Sequence, residues 1–284
     1  NAQVAAPTDR GPFVLGMGSL SVEKADGGAE DFTGTIRFEG GEYGVDNLAL
    51  SLGCYGDATL TLGASDVAAQ ATVELKEYEY YFGGMKYYFV SSLALAKGVE
   101  SATLKKLTGT QYSRLQAGTY RVTNGGSFAG TLDDGVTLTV GAGSPMNLIG
   151  AHAADAAAAN IVGEGGSTIR NLTLGAGLTL GASLSAGDAP VILDQVTLAD
   201  GGTIRLASVG SSEEASSLLS FTASGNMASS LSAGESVLLA LGDDVLTSLV
   251  TDQDYVLIGD LGAAVDADCF RLNYADAGSS QFKL

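Results

Sequence analysis

A short phrase of alternating apolar and small polar residues recurs along the chain and constrains its fold more than any other feature. It reads Thr-Leu-Thr-Leu-Gly-Ala-Ser at 59–65 and returns in related form at 138–144 and, doubled, at 172–183. In the doubled copy, leucines occupy one parity and threonines the other. Successive side chains of a strand point to opposite faces, so this period of two predicts strands with leucine turned inward and threonine outward.

A second phrase, Thr-Ile-Arg, occurs at 35–37, 168–170 and 203–205, each time after a turn that contains Gly or Ser. Similar strand-turn units stack readily, because each unit continues the apolar inner row of the one before. The sequence therefore predicts an all-β fold, and a β-solenoid resembling a parallel β-helix in particular. A β-sandwich built from many short strands gives much the same pattern and is the alternative.

Composition and rhythm divide the chain into three regions. Residues 1–112 form an N-terminal β region with an aromatic hairpin at 72–96, residues 113–210 form a Gly-rich β-repeat region, and residues 211–284 form a C-terminal β region. The Ala-rich stretch 151–159 interrupts the strand pattern. Because alanine has the highest helix propensity, this stretch predicts a short helix or a loop turn across a strand end.

The aromatic segment is the most distinctive part of the sequence. Two aromatic runs flank Gly83-Gly84, which predicts a β-hairpin. In a structural interpretation, cross-strand aromatic pairs stabilise the hairpin and cover the end of the sheet or solenoid. In a recognition interpretation, tyrosine rings stack on sugar rings while glutamates accept hydroxyl hydrogens. The candidate ligand-binding residues are Tyr78, Tyr80, Tyr81, Tyr87, Tyr88, Glu77 and Glu79.

The charge balance argues against two classes of partner. The chain carries 14 basic and 32 acidic residues, a formal net charge of -18, and Lys105-Lys106 is the nearest approach to a basic cluster. Binding to nucleic acid or to an anionic membrane surface depends on basic patches, so neither is expected. We also expect no transmembrane helix, because no run of about 18 apolar residues occurs.

The residues that usually carry catalysis are scarce. His152 is the single histidine, and Asp155 would share a helix face with it if the Ala-rich stretch were helical. An ordinary structural or surface histidine is the favoured interpretation. The two cysteines, Cys54 and Cys269, either close one long-range disulfide or remain separate thiols. So few cysteines and histidines argue against a Cys/His zinc site.

Elimination leaves an acid pair as the candidate machinery if the protein is an enzyme. Two carboxylates can act as general acid and base when their surroundings separate their pKa values. The candidate catalytic residues are Asp133, Asp134, Asp243 and Asp244. These aspartates, and those at 252, 254, 266 and 268, are also possible calcium ligands, but acidic turn residues with solvated side chains explain them equally well. No other cofactor is expected.

The Leu-Thr-Leu-Gly-Ala phrases, the Asp-Gly-Gly-Thr-Ile-Arg-Leu segment at 200–206 and the endings at 255–258 and 270–272 resemble autotransporter-type passenger regions, over about residues 113–284. The resemblance implies export, a β-helical shape and, in many such proteins, adhesion. We therefore expect a secreted or cell-surface bacterial β-repeat protein, exported after removal of a signal peptide. The expected role is adhesin-like or structural, and the expected partner of an adhesin-like role is a mucin-type host glycoprotein or glycan. The alternative is a secreted hydrolase, an aspartic-type peptidase or glycosidase, that cleaves mucin-like substrates through paired carboxylates.

Overall fold

A computed structural model gives the fold of the chain. Short strands joined by turns make up nearly all of its regular structure, and the helical structure among the described residues is a 3-10 turn at Ala267–Cys269. The structure describes residues 20–22, 35–38, 48–52, 58–62, 71–95, 97–208, 210–211, 219–224, 227–242, 255–260, 265 and 267–272.

Each strand has two to six residues, and tight turns follow most of them. The first Thr-Ile-Arg phrase lies in a strand at 35–38, and the first copy of the alternating phrase begins in a strand at 58–62. In chain order the strands are β1 (Leu20–Val22), β2 (Thr35–Phe38), β3 (Leu48–Leu52), β4 (Ala58–Leu62), β5 (Ala71–Leu75), β6 (Tyr78–Phe82), β7 (Met85–Phe89), β8 (Ser91–Leu95), β9 (Ser101–Leu104), β10 (Lys106–Gly109), β11 (Ser113–Leu115), β12 (Gly118–Val122), β13 (Gly126–Phe128), β14 (Thr131–Leu132), β15 (Val136–Val140), β16 (Pro145–Asn147), β17 (His152–Ala153), β18 (Ala159–Glu164), β19 (Thr168–Arg170), β20 (Thr173–Leu174), β21 (Leu178–Ser183), β22 (Val191–Asp194), β23 (Thr197–Leu198), β24 (Thr203–Leu206), β25 (Gly210–Ser211), β26 (Phe221–Ala223), β27 (Ala228–Ser229), β28 (Val237–Leu241), β29 (Tyr255–Val256), β30 (Ile258–Gly259) and β31 (Phe270–Leu272).

Three parallel sheets contain most of these strands. Sheet 1 runs β1-β3-β5-β10-β13-β16-β19-β22-β26-β30, and sheet 3 runs β9-β12-β15-β18-β21-β24-β28-β31. Sheet 2 runs β2-β4-β8-β11-β14-β17, and the short sheet β20-β23-β27 then takes its place in the chain order. Between β8 and β28 the chain visits sheet 2, sheet 3 and sheet 1 in that order, again and again. We call one such passage a coil.

The fixed order of sheets and the parallel pairing agree with the predicted architecture. The all-β fold is confirmed, and the parallel sheets are consistent with a β-solenoid. The sandwich alternative predicts sheets of antiparallel strands, which does not fit this pairing. Among the described strands, antiparallel pairing is confined to β6 with β7 and β25 with β29.

Alternate side chains of each strand build the core, as the period of two predicts. In β15, Val136, Leu138 and Val140 are buried while the two threonines between them are half-buried. In the following coils of sheet 3, Ile161 pairs in register with Leu138 and Leu180 pairs with Ile161, and both are fully buried too. Each such side chain contributes roughly 1.5–3 kcal/mol by leaving water, so stacked apolar rows provide the main stabilisation.

The lengths of the coils explain why the repeats look irregular in sequence. Thr119 in β12 pairs with Thr137 in β15, 18 residues later, whereas Thr203 in β24 pairs with Leu238 in β28, 35 residues later. The strands keep their register, and the additional residues lie between them. Parallel pairing also continues across the region boundaries drawn at 112 and 210, from β10 to β13 and from β24 to β28.

The Ala-rich stretch forms a loop turn rather than a helix. His152 and Ala153 form strand β17, a turn follows at 155–156, and β18 begins at Ala159. The chain must pass from sheet 2 to sheet 3 within five residues, and pairing with the neighbouring coils at both ends overrides the helix propensity of alanine. Of the two predicted outcomes, the loop turn is the one present.

Candidate functional site

The aromatic hairpin is inserted at one corner of the coil, between β5 of sheet 1 and β8 of sheet 2. In the next coil, the same corner consists of residues 110–112 alone, between β10 and β11. Ser91 joins the base of the hairpin to that coil, because its backbone N–H donates to the Tyr112 carbonyl at 3.1 Å. Its hydroxyl donates to the Lys76 carbonyl at 2.9 Å and holds the other strand of the base.

The turn of the hairpin confirms the prediction made from Gly83-Gly84. The two glycines have φ values of 59° and 81°, and a two-residue turn with positive φ at both positions matches the twist of the strands it joins. The pairing register places Tyr80 opposite Tyr87 and Tyr81 opposite Lys86. Tyr78, Glu79 and Tyr80 are placed by backbone register only.

One face of the hairpin carries a row of rings with a cation between two of them. The Tyr88 ring stacks on the Tyr112 ring, with centroids 4.0 Å apart and planes 10° from parallel. The Lys86 ammonium lies 4.9 Å from the Tyr88 ring centroid and 5.8 Å from the Tyr81 ring centroid, within the range of cation–π attraction. We call Tyr81, Lys86, Tyr88 and Tyr112 the aromatic row.

The surroundings of Tyr112, the innermost ring of the row, raise the pKa of its phenol. Desolvation raises the pKa of the Tyr112 phenol, and nearby Tyr88 and Glu77 raise it further. Lys86 acts in the opposite direction because its positive charge favours the phenolate. Tyr112 belongs to the next coil and was not among the residues predicted from the sequence. It has one sequence signal, an isolated tyrosine at a turn, which does not reveal its partner.

The hairpin also presents the apolar surface that a recognition site requires. Tyr81 is 65% exposed, Met85 61% and Tyr87 42%, and these are three of the five exposed large apolar side chains in the described part of the chain. Tyr87 pairs with Tyr80, the neighbour of Tyr81 in β6. Because neighbouring residues of a strand point to opposite faces, Tyr81 and Tyr87 lie on opposite faces of the hairpin. The hairpin therefore has one exposed tyrosine on each face, while Tyr88 is half-buried against the coil.

The two described candidates for an acid pair are engaged separately. Asp133 Oδ1 accepts from Arg114 Nε at 2.6 Å, and Arg114 belongs to the preceding coil. Asp134 Oδ1 accepts from the Ala158 backbone N–H at 2.9 Å, and Ala158 belongs to the following coil. The two carboxylates thus connect three successive coils. Asp243 and Asp244 lie outside the described residues.

Other predicted positions fall on the surface or outside the described residues. His152 is exposed in β17, with Nε2 3.2 Å from the Thr131 hydroxyl, and it does not share a helix face with Asp155 because no helix forms there. Cys269 is half-buried, whereas Cys54 lies outside the described residues, as does any test of their pairing. Within the described ranges, no group of three or more His, Cys, Asp or Glu side chains converges as a metal site would require. No helix among those residues is long and apolar enough to cross a membrane.

A groove on the outer face of sheet 1 is a second feature, and the sequence did not predict it. It has a volume of about 490 Å³ and crosses β10, β13, β16 and β19. Gly126 lines it at a position where a Cβ would come within 1.8 Å of the Leu107 carbonyl oxygen, so no side chain fits at this position of β13. The side chains that line the groove include Lys106, Thr108, Ser127, Pro145, Asn147 and Arg170.

Among the described residues, the exposed hairpin and the polar groove are two surfaces with a defined set of side chains. The hairpin is one contiguous segment that contacts Tyr112 of the next coil, whereas the groove combines residues of four strands. Comparison of the chain with protein-family models, with curated proteins and with solved structures found no match.

Proposed function

We propose that the protein is a secreted or cell-surface β-repeat module that binds mucin-type glycoprotein through its aromatic hairpin. The observation that carries the proposal is the exposure of the Tyr81 ring, 65%, beside a lysine that is itself held between two rings. Exposed apolar surface concentrated on one projecting element is typical of a contact site.

The side chains around Tyr81 suit a sugar. The face of a tyrosine ring packs against the C–H face of a sugar, and its hydroxyl remains available for hydrogen bonding. The Lys86 ammonium is an exposed cation and hydrogen-bond donor beside the ring, which suits sugar hydroxyls or an acidic substituent. Glu77, at the base of the hairpin and near Tyr112, supplies an acceptor for hydroxyl hydrogens.

The anchoring of the hairpin favours binding by reducing its entropic cost. A free two-stranded hairpin is marginally stable in water. In this protein, the Tyr88–Tyr112 stack and the Ser91 hydrogen bonds hold the hairpin against the coil. A ligand therefore meets side chains that are already ordered, and less binding free energy is lost in fixing them.

The experiment is retention of the full chain on immobilised mucin, compared among exposed-residue variants. We expect Tyr81→Ala or Tyr87→Ala to reduce retention about tenfold or more, as the loss of an aromatic contact predicts. Tyr81→Phe keeps the ring and should retain most of the binding. Ile149→Ala is the matched control, because Ile149 is 57% exposed but lies outside the hairpin.

Thermal unfolding separates recognition from folding in these variants. Both tyrosines are exposed, so their replacement should leave the melting temperature within a few degrees of the parent. Unchanged retention in both alanine variants, with folding intact, would remove the hairpin from the binding role. The hairpin would then serve only as a cover for the coil corner.

A further inference from the structure

We propose that the groove on sheet 1 is a separate binding site for a short oligosaccharide that carries carboxylate groups. The site does not depend on the hairpin, and it was not anticipated by the sequence motifs. Lys106 in β10 and Arg170 in β19 place a cation toward each end of the groove. No carboxylate of the described residues lines the groove itself.

Strand register fixes the order of the polar side chains along the groove. Thr108 pairs with Ser127, Ser127 with Asn147, and Asn147 with Arg170. Neighbouring strands are about 4.8 Å apart, so the row from β10 to β19 spans about 14 Å. This length exceeds one sugar ring, and it favours an elongated ligand over a single small anion.

The hydrogen bonds of Asn147 show which of its atoms is available. Its Oδ1 accepts from Asn171 Nδ2 at 3.0 Å and from the Ile149 backbone N–H at 3.3 Å. Both bonds use the oxygen, so the amide nitrogen is the atom left to donate into the groove. With the guanidinium of Arg170 and the ammonium of Lys106, the groove presents mainly donors, and hydroxyls complete the row.

Carboxylates at both ends of the row limit the length of an acidic ligand. Thr108 pairs in register with Glu74 on one side, and Arg170 pairs with Asp194 on the other. Arg170 Nε contacts Asp194 Oδ2 at 3.1 Å, which orients the guanidinium while its remaining N–H groups are available to a planar carboxylate. A long polyanion would meet these acidic ends and the overall charge of -18, so a short acidic ligand is favoured.

Pro145 distinguishes a saccharide from a phosphate or a nucleic acid. Its ring is the apolar surface within the groove, and it is exposed. A sugar can pack its C–H groups against this apolar ring, and its hydroxyl oxygens can accept from the donors around it. A nucleic acid would instead need flat aromatic rings on which to stack its bases, and none of the described aromatic side chains lines this groove.

The test is titration of the isotopically labelled full chain with a tetrasaccharide of alternating glucuronic acid and N-acetylglucosamine, followed by NMR amide shifts. We expect shifts confined to β10, β13, β16 and β19, and weaker binding as salt rises. The neutral N-acetylglucosamine tetrasaccharide should bind at least about tenfold less tightly, because it lacks the charge-assisted hydrogen bonds. Equal binding of both sugars would overturn the proposal, as would tighter binding of a short oligothymidine at the same strands.

Asn147→Asp is the sharpest variant. The aspartate retains an oxygen for Asn171 and for the Ile149 N–H but removes the donor and adds a negative charge. We expect binding to fall more than about tenfold with little change in the melting temperature. The Lys106 ammonium makes no ion pair within the described ranges, so Lys106→Gln should also weaken binding. Retained affinity in both variants would overturn the proposal.

Arg170→Gln and Arg205→Gln form a matched pair. Both arginines end a Thr-Ile-Arg phrase and are exposed, but Arg170 lies in the groove on sheet 1 and Arg205 lies in sheet 3. Loss of binding is expected for the first alone. Tyr81→Ala should leave this titration unchanged, so failure of the groove proposal and failure of the hairpin proposal give different results.

Discussion

The Arg121 guanidinium reaches across a complete coil to hold the Glu164 carboxylate through two hydrogen bonds. The bonds are 2.5 Å from Nε to Oε1 and 2.6 Å from Nη2 to Oε2, and the Ala142 N–H also donates to Oε2 at 3.1 Å. Arg121 lies in β12 and Glu164 in β18, with β15 between them. The hydrogen bond from Arg121 is the main reason that the pKa of Glu164 is lowered.

This pair predicts a pH-dependent effect of Glu164→Gln. A lowered carboxyl pKa stabilises the fold at neutral pH, and this contribution is lost as the pH falls through the folded-state value. We expect the variant to lose about 1 kcal/mol at pH 7, because the pair is partly exposed to solvent. At acidic pH, below the lowered pKa of Glu164, the two proteins should be nearly equal. Denaturant unfolding at both pH values is the measurement, and an equal loss at both would show that charge is not the cause.

Two glycines with almost the same φ separate crowding from backbone strain. Gly125 has φ 69°, and a Cβ there would lie 1.8 Å from the Pro145 carbonyl oxygen, whereas Gly143 has φ 67° and open space around it. Gly143→Ala should cost roughly 1–2 kcal/mol from the left-handed backbone alone. Gly125→Ala should cost about 2 kcal/mol more, because the strand must also move. Equal losses in thermal unfolding would contradict the close approach.

The Tyr88–Tyr112 stack should determine how often the hairpin opens. Tyr88→Ala removes a contact worth about 1 kcal/mol, so local opening should increase about fivefold. Limited trypsin digestion at Lys86 measures this opening directly. Tyr81→Ala is the control, because it removes a ring that contacts Lys86 but leaves the Tyr88–Tyr112 stack in place, and cleavage as fast as in Tyr88→Ala would show that the row is held differently.

Asp133 and Asp134 should act in stability rather than in hydrolysis. Asp134→Asn keeps an oxygen for the Ala158 N–H and should change stability little. Asp133→Asn removes the charge opposite Arg114 and should cost less than about 1 kcal/mol, because Arg114 is half exposed. Mucin incubated with the parent over a range of pH should remain intact. Fragments that disappear when Asp133, Asp134, Asp243 or Asp244 is changed to Asn would instead establish acid-pair hydrolysis.

The sequence predicted those features that depend on neighbouring residues. The period of two identified inward residues such as Leu174 and Leu180, because alternation along a strand is a local property. Gly83-Gly84 identified the hairpin for the same reason. The Thr-Ile-Arg phrase was predicted to form a strand, and it does. Its three copies lie in sheet 2, sheet 1 and sheet 3, so the phrase does not specify which sheet the strand joins.

The features that the sequence missed depend on contacts between coils. Tyr112 is 24 residues from Tyr88, and no local pattern connects them. The groove combines residues from four strands, and the order of its side chains follows from the pairing register. The corners between these strands differ in length, so the sequence spacing does not reveal that register. Asp133 and Asp134 are adjacent in sequence and were predicted as an acid pair. In the structure, Asp133 bonds to the preceding coil and Asp134 to the following coil.

The corner between Leu75 and Ser91 has a consequence for protein engineering. One coil spans it with fifteen residues that form a hairpin, and the next spans it with the three residues between Gly109 and Ser113. The flanking strands β5 and β8 pair in register with their neighbours despite this difference. The corner therefore behaves as a natural grafting position, where peptides of different length can be exchanged for the hairpin while the scaffold on either side keeps its geometry.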